Sequence, residues 1–228
     1  MCWLQKSNIK VFQVFPTMDA NDIESIYTEY RKAVDYSPEY TLAFFSKHLE
    51  SFNTISYFND EGQLHRYVEL VWQYLNASLA KRNFKISAQF SEKYLRVIDL
   101  EIERLNISEK LDDWYFDIQF FNGMSHYHLK KYRKSTRIFE RLIHYRSSNE
   151  TYINWLNYSR FRQRIHISKT ITITCYVLML IELSFKGILN PFLRMSIVGI
   201  ALIGLIGSLI YDYYYKARFK DAIKKGAQ

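Results

Sequence analysis

The feature that most constrains this chain is an uninterrupted apolar run close to its C-terminal end. From Met195 to Tyr211, seventeen consecutive residues carry no charge. With Pro191–Leu193 before the run and Asp212–Tyr215 behind it, a helix reaches across the hydrocarbon core of a bilayer, roughly 30 Å at about 1.5 Å per residue. The alternative is the buried core helix of a soluble protein, which is usually shorter. We therefore predict a membrane-spanning helix at about residues 191–214.

A second, weaker apolar run lies upstream, from Thr170 to Phe185, and Glu182 is the charge that interrupts it. Its alternating threonines and isoleucines are also typical of a β-strand. An unpaired strand cannot cross lipid, however, because its backbone groups would have no hydrogen-bond partners. The run predicts a second spanning helix at about residues 165–187. The two helices form a transmembrane hairpin over residues 161–215.

Basic residues around the two spans predict the topology. Nine flank the hairpin and two lie in its short connecting loop. Those that flank it are Arg160, Arg162, Arg164, Lys169, Lys216, Arg218, Lys220, Lys224 and Lys225, and those in the loop are Lys186 and Arg194. Because loops rich in lysine and arginine stay in the cytoplasm, both termini are predicted to be cytoplasmic. The protein is predicted to be a multi-pass protein of the cell inner membrane, with a basic cytoplasmic tail at 216–228.

Polar and small residues inside the spans are candidate functional positions. Ala201, Gly204, Ser208 and Asp212 follow one another at three- and four-residue steps, so they share one helical face, called the seam below. Small residues let another helix approach closely. The seam therefore packs either against the first helix of its own hairpin or against another copy in a homo-oligomer. For Glu182 there are also two interpretations: an ion pair with Lys186, or the polar lining of an assembled pore.

The net charge of +8 is unevenly distributed. Residues 1–129 carry a net charge of −5, whereas residues 130–164 carry +8. The basic segment has three possible partners: anionic headgroups of the lipid bilayer, nucleic acid, or an acidic protein surface, including that of a neighbouring copy. Its candidate contact residues are Lys130, Lys131, Arg133, Lys134, Arg137, Arg141, Arg160, Arg162 and Arg164.

Residues 1–160 are predicted to form a cytoplasmic domain built of successive α-helices. Apolar residues recur there with helical spacing, and turn residues are scarce, with seven glycines and three prolines in the whole chain. Helix starts are predicted at Ser37-Pro38, Ser87, Ser108 and Ser148-Asn149. Residues 8–15 alternate in polarity and are predicted to form a short strand or an extended arm. The predicted fold class is all-α.

Two stretches of this domain, Tyr67–Ile98 and Phe116–Tyr145, show a similar helical-hairpin pattern about 46–48 residues apart. In the second, Gly123 precedes Tyr132, the small residue Ser135 and Phe139. At these positions the stretch resembles a tetratricopeptide repeat, with Gly123 where the two helices meet and Ser135 at the small contact position. It departs from the family at Gln119, where an aromatic residue is usual, and at the missing final proline. The resemblance implies a stacked, helical-repeat domain that binds proteins.

The sequence offers no convergent catalytic residues, so we predict that the protein is not an enzyme and that it uses no cofactor or metal. His126 and His128 lie two apart and point to different helical faces, which does not suit a shared metal. Glycine-rich phosphate loops are missing as well, since only Gly62 and Gly123 precede Gly187.

The domain order resembles that of two-span effectors from bacterial anti-phage defence systems, of the retron or cyclic-oligonucleotide type. That resemblance implies a toxin whose helical domain binds a regulatory protein or nucleoprotein, and whose hairpin oligomerises to perturb or permeabilise the inner membrane on infection. The alternative is a non-toxic, membrane-tethered adaptor or scaffold, as in the tail-anchored fission adaptor whose helical repeats this domain resembles.

Overall fold

Helices account for nearly all of the described chain. The computed structural model describes residues 21–33, 35–55, 57–107, 113–185 and 187–225. Within these ranges there are α-helices and no β-strand, which confirms the predicted all-α class. The helices are α1 (Asn21–Arg31), α2 (Pro38–Thr54), α3 (Glu61–Ala80), α4 (Phe84–Leu105), α5 (Asp113–His128), α6 (Tyr132–Tyr145), α7 (Glu150–Ser184) and α8 (Pro191–Lys225). The strand or arm predicted for residues 8–15 lies outside the described residues.

The chain divides into two compact units, Met1–Phe121 and Asn122–Gln228. Helices α1 to α4 belong to the first unit, α6 to α8 belong to the second, and α5 begins in the first and ends in the second. The predicted boundary at residue 160 is of another kind, because it divides a soluble domain from the membrane-spanning hairpin. That boundary stays a prediction. Helix α7 runs without a break through that boundary.

Aromatic side chains dominate the core of the first unit. Tyr67 and Tyr94 are completely buried, with ring centroids 6.0 Å apart in an edge-to-face arrangement. Phe45 and Phe52 lie 4.8 Å apart in the same cluster. Rings in such contacts contribute about 0.5–1.5 kcal/mol per pair beyond the area that they bury. The aromatic content of the sequence is thus partly explained by the packing of α2 against α3 and of α3 against α4.

Two of the four predicted helix starts are confirmed. The side chains of Ser37 and Asn149 each accept a hydrogen bond from the backbone N–H three residues later, at 3.3 Å and 3.2 Å, and so cap α2 and α7. The predicted start at Ser87 is wrong, because α4 begins at Phe84 and Ser87 is completely buried within it. The predicted start at Ser108 lies outside the described residues.

The turns between α3 and α4 and between α5 and α6 have the same geometry. Arg82 and Lys130, 48 positions apart in the sequence, both have positive φ, of 56° and 61°. In each turn the next residue's N–H donates to the carbonyl five positions before it, at 2.8 Å and 2.9 Å. This is the Schellman arrangement, here formed without glycine. A serine follows five residues after each positive-φ residue, Ser87 and Ser135, and both are completely buried. The local geometry therefore recurs at the spacing of the two sequence stretches, while membership of the tetratricopeptide family stays a prediction.

Gly123 is a point of close approach within the second unit. A Cβ atom at this position would lie 2.8 Å from Cζ and 3.0 Å from Cε1 of Phe139. Phe139 is itself completely buried and stacks on Trp155 of α7, with ring centroids 5.9 Å apart. The ring therefore has little room to move away from an added methyl group.

Gly123→Ala is expected to destabilise the second unit. Alanine favours a helix over glycine by about 1 kcal/mol, but forcing an extra methyl group against a buried ring costs about 1–3 kcal/mol. The overall effect is a lower midpoint of thermal unfolding for the detergent-solubilised full chain. Gly199→Ala is the matched control, because a Cβ there meets nothing within 4 Å. A Gly123→Ala variant as stable as the control would contradict this account of the packing.

Candidate functional site

Helices α7 and α8 are long and apolar enough to cross a membrane. Their most apolar regions have mean hydropathies of 1.4 and 2.1. The core helix of a soluble protein also meets this test, but such a helix is mostly buried. Here only 17% and 11% of the residues in these regions are buried. These two helices therefore expose the apolar residues that a soluble protein would cover.

The polarity of the α7–α8 pair is reversed relative to a soluble protein. Large apolar side chains point away from the partner helix, and polar or small ones lie between the two helices. On α8, Ile203 and Leu209 are 75% and 69% exposed, whereas Ala201 and Ser208 are 0% and 5% exposed. The other exposed apolar residues include Ile167, Ile171, Ile173, Val177, Leu180, Leu183, Met195, Ile200, Ile206 and Ile210.

Helices α7 and α8 pair antiparallel over their apolar runs and over the basic segments next to these runs. At one end the rings of Phe161 and Phe219 stack with centroids 3.9 Å apart. At the other end Nε of Arg194 donates to Oε1 of Glu182 at 2.8 Å. The two contacts are 21 residues apart on α7, about 32 Å at about 1.5 Å per residue. The pairing therefore extends beyond the apolar run, over the basic residues Arg162, Arg164 and Lys169 that precede it on α7.

Gly204 is a point of close approach of α8 to α7. A Cβ atom added there would lie 2.5 Å from Sγ of Cys175, a buried free cysteine. Cβ atoms added at Gly199 or Gly207 would meet nothing within 4 Å. Of these three glycines, Gly204 alone contacts the facing helix in a way that requires glycine.

Hydrogen bonds continue the seam towards the end of α8. The hydroxyl groups of Ser208 and Thr172 are hydrogen-bonded at 2.9 Å. The backbone carbonyl oxygen of Ser208 accepts a second hydrogen bond from the hydroxyl of Ser168 at 3.2 Å. Asp212 lies 3.8 Å from the ammonium group of Lys216 on its own helix. Ala201, Gly204 and Ser208 thus pack against α7, which is the first of the two interpretations of the seam.

Glu182 lies in the same interface, near the loop that joins α7 and α8. Its side chain is 12% exposed, and the arginine that pairs with it, Arg194, is 30% exposed. The two opposite charges are 2.8 Å apart. Their attraction compensates part of the free-energy cost of removing each charge from water. Lys186, its predicted partner, lies outside the described residues. We call the contact between Glu182 and Arg194 the hairpin ion pair.

Four of the nine predicted basic contact residues meet in one groove between α6 and α7. The groove has a volume of about 310 Å³. It is called the arginine groove below, and its lining residues are Arg133, Thr136, Arg137, Glu140, Arg160, Gln163 and Arg164. Four guanidinium groups and one carboxylate leave a surplus of three positive charges.

The other five predicted basic residues do not line this groove. Lys130 and Lys131 lie in the turn before α6, and Lys134 and Arg141 are exposed on α6. Arg162 is directed elsewhere, since its Nε donates to the hydroxyl of Tyr127 at 3.4 Å. The basic segment is therefore one focused groove with additional charge around it.

Sequence reasoning missed the α7 side of the seam and the role of Arg194. Ser168, Thr172 and Cys175 are spaced four and three residues apart, the same helical signal that identified the seam on α8. The alternation of threonine and isoleucine obscured it. The sequence indicates only a loop charge at Arg194, because nothing in it aligns this residue with Glu182.

The comparisons with known proteins give no function for this arrangement. Among the residues that the structure describes, no three histidine, cysteine, aspartate or glutamate side chains form a group that could hold a metal ion. Comparison with protein families, with curated proteins and with solved structures gave no match.

Proposed function

We propose that this chain is a membrane-anchored effector whose α7–α8 hairpin spans the inner membrane with both termini in the cytoplasm and permeabilises that membrane after self-association. The observation that carries the proposal is the reversed polarity of the hairpin. Its outer surface is apolar and exposed, while glycine, serine, threonine and the hairpin ion pair occupy its interior. Apolar side chains with exposures of 75% and 69% suit a lipid environment.

The ion pair is the feature that a simple anchor does not need. Placing ionisable groups in a spanning segment is costly, and such groups commonly mark water-filled or conducting interfaces. In several assembled copies, exchange of these pairs between hairpins would line a polar path. The helical domain is proposed to bind a regulatory protein or nucleoprotein that holds the chain inactive, as in anti-phage effectors.

One observation favours the alternative, a non-toxic membrane-tethered adaptor. The seam is already occupied within a single hairpin, by Cys175 against Gly204 and by the hydroxyl bonds of Ser208. Self-association must therefore use the exposed apolar faces or rearrange the seam. An adaptor needs neither step.

Inducible expression in bacteria separates the two functions. For the effector, the full chain is expected to collapse the membrane potential, and a version ending at Arg164 is expected to leave it intact. Both proteins are compared at equal cellular amounts, and the purified full chain is then tested for dye release from phospholipid vesicles. A membrane potential that stays intact at high expression, together with vesicles that retain their dye, would favour the adaptor.

A further inference from the structure

The arginine groove has the composition of a phosphate site. Guanidinium groups form paired hydrogen bonds with phosphate oxygens, and they remain charged at any physiological pH. Arg133 and Arg137 are one helical turn apart on α6, and Arg160 and Arg164 are one turn apart on α7. Two such pairs on packed helices face one groove. An anion in the groove can thus be contacted from both helices.

Neutral donors complete the groove. Oγ1 of Thr136 donates to Oε1 of Gln163 at 3.2 Å, so the amide N–H groups of Gln163 are directed elsewhere and can donate to an anion. Glu140 is the one carboxylate in the lining, and it pairs with Arg160 at 2.8 Å. Among the described residues, Arg160 is the one groove arginine that forms an ion pair.

The position of the groove indicates which kind of molecule carries the anion. Arg164 lies at its membrane-proximal end and places its guanidinium group 4.2 Å from the ring centroid of Tyr215 on α8. Ile167, the first exposed apolar residue after Arg164, follows three residues later, about 4.5 Å along the helix. Tyrosine and arginine at the end of an apolar span are typical of the level of lipid headgroups. The groove therefore opens where phospholipid phosphates are concentrated.

We propose that the arginine groove binds the phosphate-bearing headgroup of an anionic phospholipid from the cytoplasmic leaflet. This inference rests on the membrane insertion and topology in the proposed function. It adds a defined lipid site to the general attraction between a basic segment and an anionic surface. The site would orient α6 against the bilayer. It would also make the state of the hairpin depend on the lipid composition of the membrane.

Binding of phosphatidylglycerol to the full chain in neutral detergent tests the site, with phosphatidylcholine as the neutral reference. The readout is native mass spectrometry of the bound lipid. The groove variant is Arg133→Gln with Arg137→Gln, and the matched control is Lys130→Gln with Lys131→Gln, which removes the same charge outside the groove. The groove variant is expected to weaken phosphatidylglycerol binding about tenfold, and the control less than about twofold. The thermal unfolding midpoints of both variants verify that they fold.

Three results would overturn the inference. Equal weakening in the two variants would show diffuse attraction instead of a site. Displacement of the lipid by an equal concentration of inorganic phosphate would show a small-anion site without lipid. Groove-dependent binding of single-stranded RNA together with weak lipid binding would assign the groove to nucleic acid.

Lipid binding in micelles does not depend on permeabilisation. A chain that binds lipid through the groove but never releases vesicle contents removes only the proposed toxicity. A chain that releases contents equally with or without the groove arginines, and shows no groove-dependent binding, removes only the lipid site.

Discussion

Glu182→Leu is expected to abolish membrane leak by the full chain. The substitution leaves the guanidinium group of Arg194 without its partner at 2.8 Å, in an interface where its side chain is 30% exposed. An arginine within a span costs about 2.5–3.5 kcal/mol at the membrane centre, and less near the surface because the side chain can extend to water. The measurement is the rate of dye release from vesicles, together with the membrane potential of expressing cells.

Two further variants determine what the ion pair contributes. The exchange Glu182→Arg with Arg194→Glu restores opposite charges and is expected to recover leak. Glu182→Leu with Arg194→Leu removes both charges and is expected to insert and fold but not to leak, because the polar groups are missing. Ile181→Leu, an exposed neighbour on α7, is the control and is expected to behave as wild type. Unchanged leak by Glu182→Leu would rule out a polar path lined by this residue.

Gly204→Leu is expected to separate α7 from α8 and to lower both stability and leak. Even the first carbon of the new side chain would lie 2.5 Å from Sγ of Cys175, so the helices must move apart. Loss of the close contact also weakens the hydroxyl bond between Thr172 and Ser208. Overpacking of this kind costs about 1–3 kcal/mol. Thermal unfolding of the full chain in detergent and dye release from vesicles measure the two effects.

The matched control is Gly207→Leu, on the same helix and equally glycine-to-leucine, where an added Cβ meets nothing within 4 Å. It is expected to retain both stability and leak. A milder pair isolates the contact itself: Gly204→Ala is destabilised, and Cys175→Ala in the same chain relieves the clash and restores part of the loss. Equal effects of leucine at 204 and at 207 would show that α7 does not approach Gly204 closely.

Much of the fold could be predicted because helix signals are local. Apolar spacing and capping side chains at Ser37 and Asn149 need no distant partner. The start of α4 was misplaced because the preceding turn uses Arg82 with positive φ, where glycine is the usual signal. Arginine is not a usual turn residue, so the sequence does not reveal where this turn lies.

Only the part of the candidate site that lies on a single helix could be predicted, for a related reason. The seam on α8 follows from periodicity, since Gly204 and Ser208 interrupt an otherwise apolar helix. The register between α7 and α8 is a pairing over tens of residues, and nothing local encodes it. That register determines the hairpin ion pair and the contact of Gly204 with Cys175. The packing of α6 against α7 determines which four of the nine predicted basic residues line the arginine groove.

Continuity of α7 gives the molecule a mechanical property. The helix is 35 residues long, about 52 Å, and contains neither proline nor glycine, the usual causes of a kink. It is therefore a stiff rod whose arm before the apolar run carries Arg160 and Arg164 and whose far arm carries Glu182. Tilting such a rod by about 10° moves a point about 30 Å from the fulcrum by about 5 Å. With α8 held in place, that is enough to separate Glu182 from Arg194, so a load on one arm of α7 reaches the other end of the apolar run without any hinge.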